Sequence, residues 1–170
     1  DQMAALAKIV AGAGIPVLVH ALLDGRDTPP SSGREFVAKF ESDVKGANIR
    51  VATLIGRYFA MDRDKRWDRV QLGYDAMVSG VGAPALNCDS GLAAAYAAGE
   101  SDEFVKPLIV DGYGGMSDGD GLLMANFRAD RAREILTAMV DPAFSGFTRS
   151  RQIRFAAQLG LVEYSTELNA

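Results

Sequence analysis

Arginine and aspartate residues follow three separate apolar segments, which end at Leu23, Ile55 and about Ala125. The charged residues after them are, in chain order, Asp24, Arg26, Asp27, Arg57, Asp62, Arg63, Arg128, Asp130 and Arg131. Arginine presents a planar fork of donors that binds phosphate and carboxylate groups bidentately. If the three segments are parallel neighbours in an α/β sheet, their carboxyl ends meet at one edge, where ligands of such sheets bind. The sequence therefore predicts a receptor for a small anion, lined by arginines.

Arg128 and Arg131 break a local rule of helix chemistry. A helix is predicted from about residue 127 to residue 140, so both arginines lie in its first turn. Positive side chains at this end oppose the helix dipole by about 0.3–1 kcal/mol, whereas a bound anion would be stabilised by the free backbone N–H groups. The pattern favours anion binding, with neutralisation by Asp130 as the alternative.

Other residues near these segments have simpler interpretations. Residues 62–69 are also typical of a solvent-exposed helix face with internal ion pairs. Asp27 forms either a loop ion pair with Arg26 or a carboxylate that positions a substrate hydroxyl and exchanges a proton with it. His20, the single histidine, lies within an apolar segment and is expected to be a core residue hydrogen-bonded to the backbone.

Motifs of nucleophilic and nucleotide-dependent catalysis are absent from the sequence. It contains no G-x-S-x-G elbow, no P-loop and no Rossmann glycine fingerprint after a strand. One histidine and one cysteine exclude a metal site built from several His and Cys ligands. We therefore expect no cofactor in this chain, which has an anion receptor and no evident nucleophile.

Apolar segments alternate with amphipathic ones, which is typical of an α/β fold. The predicted helices cover residues 2–12, 33–45, 64–79, 88–98 and 127–140. The predicted strands cover residues 15–23, 49–55, 105–110 and 121–125, the first of them buried on both faces. Ser32 and Glu35 have capping-box spacing, and the glycine-rich stretch 111–121 is typical of a hairpin tip. We expect a single three-layer α/β/α domain over residues 1–170, with a mostly parallel sheet that the hairpin would make mixed.

Composition limits the class of protein. Of 170 residues, 48% are hydrophobic and 24% are charged, as in ordinary globular domains, and no apolar run reaches the roughly 18–20 residues of a membrane span. The net charge of −4 argues against a nucleic-acid partner. The single cysteine, Cys88, cannot form an internal disulfide, which fits the cytoplasm. Because the chain starts in a helical pattern without an initiator methionine, we expect a piece of a longer protein.

Four stretches of the sequence resemble the motifs of cofactor-independent phosphoglycerate mutases. They are residues 20–30 (HALLDGRDTPP), 56–69 (GRYFAMDRDKRWDR), 102–107 (DEFVKP) and 126–132 (NFRADRA). The stretches occur in the family's order and span most of the chain. The resemblance implies an isomerase of glycolysis that interconverts 3-phosphoglycerate and 2-phosphoglycerate.

The resemblance also implies a division of labour between two domains. In this family an alkaline-phosphatase-like domain carries two Mn²⁺ ions and a nucleophilic serine, and an inserted domain binds phosphoglycerate. This chain resembles the inserted domain alone, so we expect it to be inactive without the other domain. By motif match, the expected substrate contacts are Arg26, Asp27, Arg57, Arg63, Arg128 and Arg131, with Asp27 as the catalytic residue. The family's substrate-contacting histidine lies upstream of this domain, and His20 does not replace it.

Expected partners are thus 2- and 3-phosphoglycerate and the phosphatase-like domain, with no nucleic acid and no membrane. Two alternative functions fit the same residues. One is a non-catalytic small-anion-binding module attached to another phosphatase-like enzyme. The other is a purely structural domain, in which the arginines would be scattered over the surface.

Overall fold

The computed structural model describes residues 2–165 and 168, in which helices and strands alternate. The helices are α1 (Gln2–Gly12), α2 (Gly33–Asp43), α3 (Arg57–Ala60), α4 (Trp67–Ser79), α5 (Cys88–Ala97) and α6 (Ala129–Val140). The strands are β1 (Val17–Leu23), β2 (Ile49–Gly56), β3 (Ala83–Ala85), β4 (Leu108–Val110), β5 (Gly121–Met124) and β6 (Ala157–Gly160). A short 3₁₀ turn covers Asp102–Phe104.

The main sheet has four strands in the order β1-β2-β4-β3. Strand β1 runs parallel to β2, and β3 runs parallel to β4, whereas β2 and β4 are antiparallel. The sheet is therefore mixed but mostly parallel, as expected. Because β1 and β2 are parallel neighbours, the loops that follow Leu23 and Gly56 leave the same edge of the sheet.

Helices cover both faces of this sheet. Helices α1, α2 and α5 contribute to one core, together with Leu54 of β2. Helices α4 and α6 contribute to a second core, together with the next residue of β2, Ile55. Successive strand side chains point to opposite faces, so the two cores lie on opposite sides of β2. The predicted three-layer α/β/α arrangement is confirmed.

Two expectations about strands are wrong. Strand β1 lies at the edge of the sheet, and Leu18 is 40% exposed, so this strand is not buried on both faces. The stretch 111–121 does not form a hairpin, because β5 pairs in parallel with β6 in a separate two-stranded sheet. Met116 donates its backbone N–H to the carbonyl oxygen of Val78, at 3.0 Å, so this stretch packs on the end of α4 rather than turning back along β4.

The helices that follow the second and third arginine motifs begin later than predicted. Helix α4 starts at Trp67 and α6 starts at Ala129. Lys65 has a φ of 56°, in the left-handed region, so the chain turns sharply before α4 can begin. Because α6 starts at Ala129, Arg128 is its N-cap residue, and only Arg131 lies within its first turn.

Candidate anion-binding site

Asp27 lies where the three arginine-bearing segments meet. Its Oδ2 atom accepts hydrogen bonds from Nη1 of Arg57, at 3.0 Å, and from Nη1 of Arg128, at 2.7 Å. These two hydrogen bonds hold the pKa of Asp27 below its usual value, so the group is a carboxylate at neutral pH. The side chain of Asp27 is 59% exposed, so the carboxylate remains accessible from solvent.

The guanidinium of Arg57 is the buried centre of this cluster, with 4% of the side chain exposed. It also donates a hydrogen bond to Oδ1 of Asp24. Burial by itself lowers the pKa of Arg57, but the hydrogen bonds to Asp24 and Asp27 outweigh burial and raise the pKa. Asp24, which the sequence places directly after β1 but which was not predicted to be a site residue, is therefore a member of the cluster.

Arg63 and Arg131 extend the cluster along the start of α6. Nη1 of Arg63 donates to Oδ2 of Asp130, at 3.0 Å, and Nη1 of Arg131 donates to the carbonyl oxygen of Met61, at 3.1 Å. Nε of Arg131 is buried and makes no hydrogen bond within the described residues. Burial, followed by the positive charges of Arg63 and Arg57, lowers the pKa of Arg131. A buried donor without an acceptor, surrounded by like charges, is stabilised when an anion binds to it.

Asp130 accounts for only part of this positive charge. A hydrogen bond from Arg63 is the main reason that the pKa of Asp130 is lowered, and Oδ2 of Asp130 lies 3.8 Å from Nε of Arg131, outside hydrogen-bond distance. Arg128 donates to Asp27 instead. Neutralisation by Asp130 alone therefore does not explain the two arginines at the start of α6.

Arg26 does not join the shared hydrogen bonds. Its Nη1 lies 3.8 Å from Oε1 of Glu103, and 63% of the side chain is exposed. The other predicted site residues lie close together, because they contact either Asp27 or the residues at the start of α6. They are Asp27, Arg57, Arg63, Arg128 and Arg131. These arginines are thus not scattered, as a purely structural domain would have them.

The turn Asp102–Phe104 fixes the loop that carries Asp27. Oδ2 of Asp102 accepts the N–H of Gly33, the first residue of α2, at 2.7 Å. This contact replaces the capping box expected at Ser32, whose side chain makes no capping hydrogen bond. At Gly25, where φ is +66°, an added Cβ would lie 2.7 Å from Cβ of Asp102. Glycine is required there because both the backbone conformation and the close approach exclude a side chain.

His20 and Cys88 have environments that do not suit catalysis. Nδ1 of His20 lies 2.9 Å from Oγ1 of Thr53, and burial lowers the pKa of His20 to about 4. Its side chain is only partly buried, and its partner is a side-chain hydroxyl rather than the expected backbone group. Burial is also the main reason that the pKa of the Cys88 thiol is raised to about 12, so the thiolate is scarce at neutral pH.

The described part of the chain lacks both a metal-ligand cluster and a membrane-spanning helix. Residues 2–165 and 168 contain no cluster of three or more His, Cys, Asp or Glu side chains arranged to hold a metal ion. No helix in the same residues combines the length and the apolar character that a bilayer span requires.

Comparisons with known proteins agree with the arrangement of these motifs. The sequence profile of the family described as "BPG-independent PGAM N-terminus" matches residues 1–166. The chain is 52% identical over 168 residues to the 2,3-bisphosphoglycerate-independent phosphoglycerate mutase of Dinoroseobacter shibae, covering 98% of this chain and 33% of that protein. It is 50% identical over 166 residues to the enzyme of the same name from Paracoccus denitrificans, covering 98% of this chain and 32% of that protein.

A solved structure shares the fold. The crystal structure of Leishmania mexicana phosphoglycerate mutase matches with a TM-score of 0.86 and 30% sequence identity, covering 94% of this chain and 32% of that one. The chain thus spans about a third of the length of the relatives that it matches. The resemblance stated from the sequence motifs is confirmed. This chain belongs to the family of N-terminal domains of BPG-independent phosphoglycerate mutases.

Proposed function

We propose that this chain is the substrate-binding domain of a 2,3-bisphosphoglycerate-independent phosphoglycerate mutase. The observation that carries the proposal is the carboxylate of Asp27, held between the guanidiniums of Arg57 and Arg128 at the edge of the sheet. The names of the relatives and the motif match supply the reaction, the interconversion of 3- and 2-phosphoglycerate.

The arginine cluster suits both charged groups of phosphoglycerate. A phosphate and a carboxylate each accept bidentate hydrogen bonds from a guanidinium. In the proposal, Arg57, Arg63, Arg128 and Arg131 bind these groups, and the free Nε–H of Arg131 is one of the donors. Arg26 joins them on binding, since an exposed ion pair such as the one with Glu103 is worth only about 0–1 kcal/mol.

Asp27 acts on the glycerate hydroxyls in this proposal. Two arginines hold its pKa low in the free domain, so it is a weak base there. A substrate phosphate that draws Arg128 away removes one of these hydrogen bonds and makes the Asp27 carboxylate more basic. Asp27 then carries the proton of the hydroxyl that becomes phosphorylated to the oxygen that the phosphate leaves, so the product again has one free hydroxyl.

The remaining chemistry lies outside this chain. By family resemblance, the phosphatase-like domain would supply two Mn²⁺ ions and the serine that carries the phosphate. This chain binds and orients glycerate and, when the domains close, helps to exclude water that would hydrolyse the phosphoryl enzyme. The proposal places the enzyme in the cytoplasm, with phosphoglycerates as its small-molecule partners.

Mutase assays with Mn²⁺ test the proposal directly. The full-length protein that contains this chain should convert 3-phosphoglycerate to 2-phosphoglycerate, and the chain alone should not. Arg128→Ala and Arg131→Ala should each lower kcat/KM by about 10²-fold or more, as loss of a positioned charge donor does in other enzymes. Arg154→Ala is the control, because Arg154 pairs with Asp118 on the exposed surface. Turnover by the chain alone, or near-normal rates for both arginine variants, would contradict the proposal.

A further inference from the structure

Two buried carboxyl groups join the loop that carries Arg63 to helix α6. Asp62 lies in the loop between α3 and α4, and Glu134 lies on the buried side of α6. Oδ2 of Asp62 accepts the backbone N–H groups of Asp64, at 3.0 Å, and Arg66, at 2.9 Å. Oε1 of Glu134 reaches across from the helix and accepts the N–H of Lys65, at 2.8 Å.

The carboxyl groups of Asp62 and Glu134 interact with each other, and Oε2 of Glu134 is buried without a hydrogen-bond partner within the described residues, so it is available to share a hydrogen bond with Asp62. Two carboxylates cannot form such a bond while both are ionised, and burial makes a double negative charge costly. Burial and the contact with Asp62 raise the pKa of Glu134. Burial opposes ionisation of Asp62 too, but the N–H groups of Arg66 and Asp64 outweigh it and lower the pKa of Asp62. Of the two groups, Glu134 therefore retains a proton to the higher pH.

The loop held by this pair contacts two residues of the candidate site. The loop displays Arg63, which reaches Asp130 of α6, and the carbonyl oxygen of Met61 accepts Nη1 of Arg131. We propose that Asp62 and Glu134 share one proton and act as a positioning pair, holding the Arg63 loop against α6 and so setting the separation of Arg63 and Arg131. The inference rests on the proposed function, because that separation matters to activity only if both arginines bind substrate.

Loss of the shared proton should loosen the loop. Asp64 adds negative charge near Glu134, whereas Arg66, which lies 3.8 Å from Asp62, stabilises the Asp62 carboxylate. A group whose pKa is raised in the folded state contributes stability that is complete below its ordinary value, here 4.5, and is lost as pH rises through the raised value. Affinity for substrate should therefore fall as pH rises through the raised pKa of Glu134.

Substitution of Glu134 in the full-length mutase tests the pair. Gln at this position keeps the oxygen that accepts the N–H of Lys65 and donates an N–H to Asp62, but has no proton to lose. Glu134→Gln should keep the KM for 3-phosphoglycerate within about threefold of wild type at the pH of best activity and should flatten the rise of KM with pH. Glu134→Ala should raise KM by about tenfold or more at all pH values, because a buried hydrogen-bond partner is lost. Asp75→Asn is the control, since burial also raises the pKa of Asp75 but it lies on α4.

Hydrogen–deuterium exchange of the peptide over residues 61–66 gives a second readout that does not depend on catalysis. Exchange should be fast in Glu134→Ala, and slow in Glu134→Gln at all pH values. If KM rises with pH in Glu134→Gln as it does in the wild type, or if exchange is equal in the Ala and Gln variants, the positioning pair is overturned. A wild-type enzyme without mutase activity would instead overturn the proposed function, and the exchange experiment would still decide the role of the pair.

Discussion

Nη1 of Arg128 lies 2.7 Å from Oδ2 of Asp27, although 101 positions separate the two residues in the chain. The same carboxylate oxygen accepts a hydrogen bond from Arg57, which follows the neighbouring strand β2. The hydrogen bonds to this one oxygen atom thus depend on the relative positions of β1, β2 and α6. A change that moves one of these elements should therefore alter the hydrogen bonds that Arg57 and Arg128 donate to Asp27.

Loss of the Asp27 charge should abolish most of the proposed activity. Asp27→Asn keeps the size of the side chain but removes the group that exchanges a proton with substrate, and we expect kcat to fall by about 10²-fold or more. Asp89→Asn is a matched control, because Asp89 forms an exposed ion pair with Arg34 on other elements. Assays of the full-length enzyme should find the control near wild type, and an active Asp27→Asn enzyme would remove Asp27 from the chemistry.

Loss of the buried guanidinium should destabilise the domain. Arg57→Met leaves the carboxylates of Asp24 and Asp27 without the guanidinium that donates to both, and we expect a loss of about 1–3 kcal/mol in the free energy of unfolding. This is less than the roughly 3–5 kcal/mol for a fully buried pair, because both aspartates can rehydrate. Arg34→Met, which breaks an exposed pair, should cost about 0–1 kcal/mol. Equal midpoints of urea unfolding for the two variants would contradict the central role of Arg57.

Gly25 should be intolerant of any side chain. Gly25→Ala meets two penalties, a left-handed backbone with φ of +66° and a Cβ that would lie 2.7 Å from Cβ of Asp102. Gly46→Ala meets only the first, because φ is +85° there and nothing lies within 4 Å of the added Cβ. Both changes should cost about 1–2 kcal/mol of backbone strain, and Gly25→Ala roughly 1–3 kcal/mol more from overpacking. Equal unfolding free energies would show that the Asp102 turn does not constrain this loop.

The pKa of Asp27 should respond to Arg128. In the wild type it lies below the ordinary 3.8 because Arg57 and Arg128 donate hydrogen bonds to the carboxylate. The stability that this ionised group contributes is complete above pH 3.8 and is lost as pH falls through the lowered value. Arg128→Met should therefore move the pKa upward, toward 3.8, as measured by NMR titration of the Asp27 carboxyl carbon. An unchanged pKa would mean that Arg128 does not hold Asp27 in solution.

Sequence reasoning placed most of the site because strand ends and arginine motifs are local features. The pairing of β1 with β2, and hence the approach of Asp27 to Arg57, follows from a parallel sheet. The contact with Arg128 was predicted for an incorrect reason, since β5 lies in a separate sheet rather than beside β2. The position of α6 depends on packing between distant elements, which no local pattern encodes.

Asp62 shows why the remainder of the arrangement could not be predicted. Its spacing from Arg66 is typical of an exposed helical pair, and the two side chains do form an ion pair. The segment, however, is a loop that turns at Lys65, and Asp62 is buried against Glu134, a residue of α6. Contacts between residues this far apart in sequence depend on the tertiary fold. No spacing of residues in the sequence therefore indicates the Asp62–Glu134 pair.

Binding of 3-phosphoglycerate to the arginine cluster is the central claim, and NMR spectra of the arginine Nε–H groups test it most directly. Titration of this chain with 3-phosphoglycerate, with sulfate at equal ionic strength as the control, should shift the signals of the cluster, which are Arg57, Arg63, Arg128 and Arg131. Signals of Arg34 and Arg154, which pair with exposed aspartates elsewhere, should respond only as they do to sulfate. Saturable shifts confined to the cluster are the predicted result. Shifts of equal size at all arginines, or none at Arg128 and Arg131, would contradict the account.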